Sequence, residues 1–175
     1  MRNTKRLVLL ALMVSLALIL SIVESWIPVP VAIPGVKLGL ANIITLVVII
    51  FFGYKDALLV VVVRCILASI FGGGFVLFLF SVSGGILSLF VMALLYSKLA
   101  KTFSLIGISI CGSVAHNIGQ IAAASLIMKE LSVMAYLPIL LVSGIIMGCF
   151  VGLCSNFLCS ALKKNRFICV TGKVG

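Results

Sequence analysis

The side chains best able to bind a ligand are ionisable and amide groups that interrupt long apolar stretches of the sequence. Arg64 lies near the middle of one such stretch, without an acidic residue close to it in sequence. A charge inside a membrane-spanning segment is costly and is usually kept for a function or for a specific partner. Arg64 could therefore bind an anionic ligand or pair with Glu24, and the residues alone leave both uses open.

A second polar group lies on one face of a later apolar stretch. On a helix, an arc of about 100° contains the following side chains: Ser109, Ser113, His116, Asn117 and Gln120. A polar face on an otherwise apolar helix should look into the helix bundle. There its side chains can hydrogen-bond neighbouring helices or a ligand, and both interpretations stay open.

Together these groups predict a binding pocket that opens to the outer side of a membrane. Its candidate residues are Lys37, Asn42, Arg64, His116, Asn117 and Gln120, with Glu24 orienting one of the bases. Nearly all are expected at or above the midplane, whereas a pore or proton relay should continue polar groups to the other side. Bases outnumber acids in this set, which indicates an anionic or acceptor-rich solute.

Composition excludes most other classes of protein. Hydrophobic residues make up 64% of the chain and charged residues 9%, so there is too little polar surface to cover a water-soluble globule. Twelve of the 13 basic residues, all but Arg64, lie between or beside the apolar runs, so we expect them to set membrane topology rather than to bind nucleic acid. The six cysteines form no CxxC pair, and five of them lie inside apolar segments, which is typical of small core residues.

The sequence also gives little support for catalytic chemistry. The sequence has no GxxxxGK[ST] nucleotide-binding loop, and Asp56 is its only aspartate. A prenyl diphosphate synthase of the usual kind needs aspartate-rich clusters that hold magnesium against diphosphate. We therefore expect that this chain is not an enzyme on its own, and we expect no catalytic residue, metal or cofactor.

Six apolar runs must position the polar groups. The predicted helices are 7–27, 38–52, 57–71, 75–96, 105–128 and 137–162, which form one membrane domain, 1–162, followed by a basic tail, 163–175. A span takes roughly 20 apolar residues. Runs 38–52 and 57–71 are shorter than that, so they either extend into the adjoining loops or are short helices shielded by neighbours.

Small residues predict where helices approach closely. The last run carries Gly144, Gly148 and Gly152 at four-residue spacing, and the fourth carries Gly84 and Gly85 among serines. Such ridges allow close contact between helices. We interpret both as internal packing surfaces.

The basic residues are distributed unequally between the two sides of the predicted membrane domain. With the amino terminus in the cytoplasm, the inner side holds Arg2, Lys5, Arg6, Lys55, Lys98, Lys101, Lys163, Lys164, Arg166 and Lys173. The outer side holds Lys37 and Lys129. This asymmetry predicts that both termini are cytoplasmic and that the chain resides in the inner (cytoplasmic) membrane. The proline-containing loop 28–37 then faces outward, where it either covers a pocket or acts as a stiff connector.

Three motifs carry a resemblance to a known family. They are PGVKLGLANI at 34–43, SVSGGILSL at 81–89 and HNIGQ at 116–120. They resemble the family called Gx transporters, also labelled heptaprenyl diphosphate synthase component I, and the resemblance covers roughly residues 7–162. That family is similar to the substrate-capture (S) subunits of energy-coupling factor transporters. The resemblance implies a six-helix bundle with an outward-facing site capped by the loop after the first helix.

The resemblance also implies partners. Such subunits dock through small residues of the first helix, commonly Ala-x-x-x-Ala, onto a shared membrane subunit driven by two ATPases. The matching positions here are either Ala11 with Ser15 or Ala17 with Ser21, and in both pairs serine stands where the second alanine would be.

The family's second label supports a competing hypothesis. The chain would then be a non-catalytic membrane partner of a prenyl diphosphate synthase, and its inner bases would hold an acidic soluble subunit or a lipid diphosphate. Loss of function in Arg64→Ala or His116→Ala would favour solute capture. Loss on neutralising the inner bases would favour the partner role, and those bases are Lys98, Lys101, Lys163 and Lys164.

Overall fold

The computed structural model describes residues 2–26, 37, 39–72, 74–99 and 102–164. These residues form six α-helices and one 3-10 helix: α1 (Arg2–Ser25), α2 (Asn42–Phe52), α3 (Tyr54–Gly72), α4 (Gly74–Leu99), α5 (Leu105–Met128), the 3-10 helix Leu131–Tyr136, and α6 (Leu137–Lys164). The predicted all-helical class is therefore confirmed. The loop at 28–36 and the tail from 165 onwards lie outside the described residues, as does Lys101.

Four helical stretches are long and apolar enough to cross a membrane. They are Thr4–Ser25, Gly74–Leu99, Leu105–Met128 and Ser132–Lys163. Large apolar side chains such as Leu7, Phe90 and Phe157 are exposed on their surfaces, where lipid chains can cover them. The chain is therefore a multi-pass membrane protein.

The second helix is shorter than its apolar run. It begins at Asn42 rather than at residue 38, because Gly39 has φ +93°, a conformation that no α-helix contains. The helix ends at Gly53, whose φ is +89°. Eleven residues rise only about 16 Å, and every residue from Asn42 to Ile49 is buried. This helix is therefore short and shielded by its neighbours, whereas α3 extends into the preceding loop and begins at Tyr54.

The helix α2 lies inside an arc formed by the other five helices. Successive neighbours along the arc are α1, α3, α4, α5 and α6, and α2 contacts every one of them. The main apolar core surrounds α2 and includes Leu46, Val60, Met92 and Ile108. Polar groups near either end of α2 are consequently within reach of several helices at once.

The glycines of α4 and α6 bring those helices close to α5. A Cβ atom added at Gly148 would lie 2.6 Å from the Cα atom of Ile110, and one added at Gly119 of α5 would lie 2.9 Å from the Cα atom of Gly84. Real Cβ atoms do not approach backbone so closely, so only glycine fits at these positions. The predicted packing role of both ridges is confirmed.

Helices α1 and α3 run side by side in the same direction. Near their first residues, Arg6 Nη2 lies 2.5 Å from Asp56 Oδ2. Further along both helices, Arg64 Nη1 donates a hydrogen bond of 2.9 Å to Ser21 Oγ. We call the side of the bundle marked by the first pair the Arg6 end, and the side where α1 finishes the Glu24 end.

Candidate functional site

Glu24, in the last turn of α1, binds the backbone that leads into α2. Its Oε1 atom accepts hydrogen bonds from the backbone N–H groups of Gly39 and, at 3.2 Å, of Leu40. Those amides precede the first turn of α2 and would otherwise be buried without acceptors. The Glu24 carboxylate therefore fixes the entry of the chain into α2.

Lys37 joins the same region to α1 and α5. Its backbone N–H donates to Gln120 Oε1 at 3.1 Å, and its Nζ atom donates to the backbone oxygen of Ser21 at 3.3 Å. Burial lowers the pKa of the Lys37 ammonium, while the nearby charge of Glu24 raises it. The contacts place the ammonium of Lys37 against α1 and its backbone against Gln120 of α5.

Arg64 is buried with part of its guanidinium unused. Only 4% of the residue is exposed. Its Nη1 atom is bound to Ser21 Oγ, whereas Nε and Nη2 have no hydrogen-bond partner among the described residues. Pairing with Glu24 is not observed, because within the described ranges the ion pair closer than 4.0 Å joins Arg6 to Asp56.

The polar face predicted on α5 is confirmed as an interior face. All five of its side chains are buried: Ser109, Ser113, His116, Asn117 and Gln120. His116 Nδ1 and Gln120 Nε2 find no partner in the described part of the chain, and neither does the side-chain amide of Asn42 on α2. Gln120 Nε2 and Asn42 Nδ2 are hydrogen-bond donors. Burying a polar atom without a partner lowers the stability of the fold.

Three glycines bring these side chains together. A Cβ atom at Gly39 would lie 2.8 Å from Asn42 Nδ2 and 3.6 Å from His116 Cδ2. One at Gly84 would lie 2.9 Å from Gln120 Cγ and 3.1 Å from His116 Cε1. A Cβ atom at Gly85 would lie 2.9 Å from Val61 Cγ1 and 3.3 Å from Arg64 Nη2.

The side chains around these glycines come from α1, the segment before α2, α2, α3 and α5. We call them the polar cluster, and its members are Ser21, Glu24, Lys37, Asn42, Arg64, His116 and Gln120. The structure thus brings together six of the seven predicted binding residues and adds Ser21.

Asn117 is the predicted binding residue that does not join the cluster. Its Nδ2 atom donates to the backbone oxygen of Leu140 on α6 at 2.5 Å. A Cβ atom at Gly144 would lie 2.7 Å from that Nδ2 atom, so the glycine makes room for the bond. Asn117 therefore joins α5 to α6.

The four predicted docking residues lie on two different faces of α1. Ala17 and Ser21 are buried, and Ser21 belongs to the polar cluster. Ala11 and Ser15 are exposed. They help to line an open groove of about 700 Å³ between α1 and α3, together with Arg6, Leu7, Leu10, Val14, Leu59 and Val63. We call this the α1–α3 groove.

Sequence reasoning missed the contribution of Ser21, Gly39 and the pair Gly84 and Gly85 to the cluster. Ser21 has the same four-residue spacing from Ala17 that Ser15 has from Ala11, so spacing alone did not separate an inner pair from an outer one. Both glycine sites do fall within the motifs PGVKLGLANI and SVSGGILSL.

The polar cluster offers hydrogen-bonding groups that suit the binding of a ligand. Within the described ranges no group of three or more His, Cys, Asp or Glu side chains could hold a metal ion. What the cluster offers is buried hydrogen-bond donors with unused capacity, at Arg64, Asn42 and Gln120. Such donors favour a ligand that is rich in acceptors.

Comparison with known proteins identifies one family. The model of the family described as heptaprenyl diphosphate synthase component I matches residues 13–158 of the chain. The matched range contains the whole polar cluster. No curated protein and no solved structure matches the chain.

Proposed function

We propose that this chain, which belongs to the family described as heptaprenyl diphosphate synthase component I, captures a small solute from outside the cell. It acts as the substrate-binding (S) subunit of a transporter of the energy-coupling factor type. The observation that carries the proposal is the polar cluster, a set of buried groups whose hydrogen-bonding capacity is only partly used.

The energetic argument starts from the unused donors. A buried polar group without a partner costs about 1–3 kcal/mol. A donor that serves only to hold helices together should be satisfied within the chain, as Asn117 Nδ2 is by the backbone oxygen of Leu140. Asn117 Oδ1 has no partner among the described residues. Within the described part of the chain, Arg64, Asn42 and Gln120 all keep donor atoms without acceptors in one neighbourhood. A bound solute that supplies acceptors recovers this cost.

The proposed topology has six crossings, with both termini in the cytoplasm of the inner membrane. It is supported by the basic residues at the Arg6 end of the bundle, which include Lys5, Lys55, Lys98 and Lys163. Loops rich in Lys and Arg favour the cytoplasmic side. The polar cluster then lies in the outer half of the membrane, on the side from which the solute arrives.

The α1–α3 groove is the proposed docking surface for a shared transmembrane coupling subunit that is driven by two ATPases. Ala11 and Ser15 are small and exposed on the groove, so a partner helix can approach α1 closely there. Ala17 and Ser21 face inward and are not proposed to dock. The chain itself supplies solute binding, and the ATPases supply energy.

A second candidate function follows from the family description, which names a component of a synthase. In this alternative the chain is a non-catalytic membrane component that associates with a prenyl diphosphate synthase in isoprenoid-quinone metabolism. The bases at the Arg6 end, among them Lys98 and Lys163, would then hold the soluble enzyme or a lipid diphosphate. The polar cluster would have no direct role.

Native mass spectrometry of the detergent-purified protein separates the two candidates. Capture predicts a co-purifying small molecule on the wild-type chain that is lost in Arg64→Met. The matched control, Arg6→Met, removes a guanidinium from the other end of the bundle and should keep the molecule. Reproducible absence of any small molecule, with a soluble prenyl synthase co-purifying instead, would contradict capture and support the partner role.

A further inference from the structure

We infer that the ligand presents a carboxylate, and that the free edge of the Arg64 guanidinium binds both of its oxygens. This inference rests on the proposed function, since it concerns the chemistry of the solute that the polar cluster takes. It goes beyond that function by naming the group that is recognised and the atoms that recognise it.

The guanidinium of Arg64 is held along one edge only. Its Nη1 atom is held by Ser21 Oγ at 2.9 Å. The two atoms that have no partner among the described residues, Nε and Nη2, are neighbours on the opposite edge. Their N–H bonds are parallel, and this pair matches the spacing of two oxygens in a carboxylate or phosphate. Ser21 thus fixes one edge of Arg64 and leaves a two-pronged edge free.

The free edge of the guanidinium lies near α4. Nη2 lies 3.3 Å from where a Cβ atom of Gly85 would be, and the adjacent Gly84 borders His116 and Gln120. The free edge therefore faces the same part of α4 as the α5 side of the polar cluster. Gln120 Nε2 and Asn42 Nδ2 have no partner in the described ranges, and they remain to bind acceptors elsewhere on the solute.

Charge decides between a carboxylate and a phosphate. The polar cluster contains two bases, Lys37 and Arg64, and one acid, Glu24. With all three ionised, one positive charge is left unbalanced. A carboxylate supplies one negative charge, whereas a phosphate monoester carries about −1.5 to −2 at neutral pH. Burying the singly charged group balances the cluster and leaves no excess charge away from water.

Glu24 does not take the place of the ligand. Its carboxylate accepts the backbone N–H groups of Gly39 and Leu40. A move to Arg64 would leave these two amides without acceptors. The acid of the cluster is thus committed to the backbone, and the free edge of Arg64 is available to a carboxylate from outside the chain.

Arginine side-chain NMR tests the inference directly. Protein labelled with ¹⁵N-arginine, and shown by native mass spectrometry to be free of small molecules, is titrated with acetate, acetamide and inorganic phosphate. Acetate is small enough to reach Arg64 wherever a larger carboxylate can. The Nε–H signal of Arg64, assigned by its loss in Arg64→Lys, should respond to acetate at a concentration at least about tenfold lower than to acetamide or phosphate.

A second measurement uses variants that keep the charge. Acetate should raise the unfolding temperature of the wild type and of Arg6→Lys, and about tenfold more acetate should be needed in Arg64→Lys, because lysine keeps the charge but lacks the paired edge. An equal response to acetamide, a stronger response to phosphate, or an unchanged acetate response in Arg64→Lys would overturn the inference. A neutral solute found on the purified protein would also overturn it while leaving capture intact. Absence of any solute, with a prenyl synthase bound, would instead remove capture.

Discussion

The arginines towards the two ends of the bundle differ in their exposure and in their pairing with an acid. At the Arg6 end, Arg6 is 41% exposed and meets Asp56 at 2.5 Å. Towards the Glu24 end, Arg64 is almost fully buried, and among the described residues no carboxylate lies within 4.0 Å of it. The nearby acid, Glu24, binds backbone amides instead.

This difference separates a structural charge from a binding charge. The Arg6 pair is partly exposed, so water and salt screen it and its contribution to stability is small. A buried charge without a partner lowers stability unless something else binds it. Under the proposed function, the partner of Arg64 is the solute.

The largest expected effect is on solute binding in Arg64→Met. Loss of the guanidinium should weaken binding about 1,000-fold, or about 4 kcal/mol, because a buried charge loses its partner. The free energy of unfolding of the ligand-free protein should not fall, since methionine is apolar and similar in length. Binding assays and thermal unfolding in detergent measure both quantities, and Arg6→Met is the control. A destabilised Arg64→Met protein that still binds solute would contradict the comparison.

Glu24→Ala should lower the free energy of unfolding by about 3 kcal/mol, because two buried N–H groups lose their acceptor. Glu24→Gln keeps an acceptor oxygen and should lose less than half as much. Chemical denaturation of both variants in mixed micelles provides the measurement. Equal losses in the two variants would mean that the charge, and not the acceptor, is what the fold needs from Glu24.

Gly84→Ala should destabilise the fold by about 2 kcal/mol and should also weaken solute binding. Its Cβ atom would lie 2.9 Å from both the backbone oxygen of His116 and Gln120 Cγ, so α4 must move away from the polar cluster. Gly107→Ala is a matched control, because its Cβ atom would meet the side chain of Phe103 at 3.2 Å. Normal stability and binding in Gly84→Ala would show that the cluster is loosely packed.

The smallest effect is expected for Arg6→Met, which should change the free energy of unfolding by less than about 1 kcal/mol. The loss should shrink further in high salt, because an exposed pair is screened. Unfolding at two ionic strengths checks this. A salt-independent loss of several kcal/mol would place Arg6 and Arg64 in the same category and remove the contrast between the two ends.

The fold was largely predictable because the apolar runs and the polar face of α5 follow directly from residue type and spacing. The start of α2 was not, since the backbone turn at Gly39, with φ +93°, depends on the Glu24 carboxylate from another helix. The predicted run 38–52 was therefore too long at its beginning.

The site was predictable in its members more than in their roles. A helix wheel places His116, Asn117 and Gln120 on one face, but it does not say which neighbour each one meets. Only the packing of α6 shows that Asn117 binds Leu140. Likewise, the spacing of Ala11, Ser15, Ala17 and Ser21 does not show which pair is buried and which lines the α1–α3 groove.

The central claim is tested most directly by a crystal structure of the wild-type protein purified together with its solute. Solute capture through Arg64 predicts density for a small molecule beside the polar cluster, with two oxygens within hydrogen-bond distance of Arg64 Nε and Nη2. Glu24 should remain on the amides of Gly39 and Leu40. Density in which Arg64 pairs with Glu24 and no molecule contacts the cluster would contradict the account.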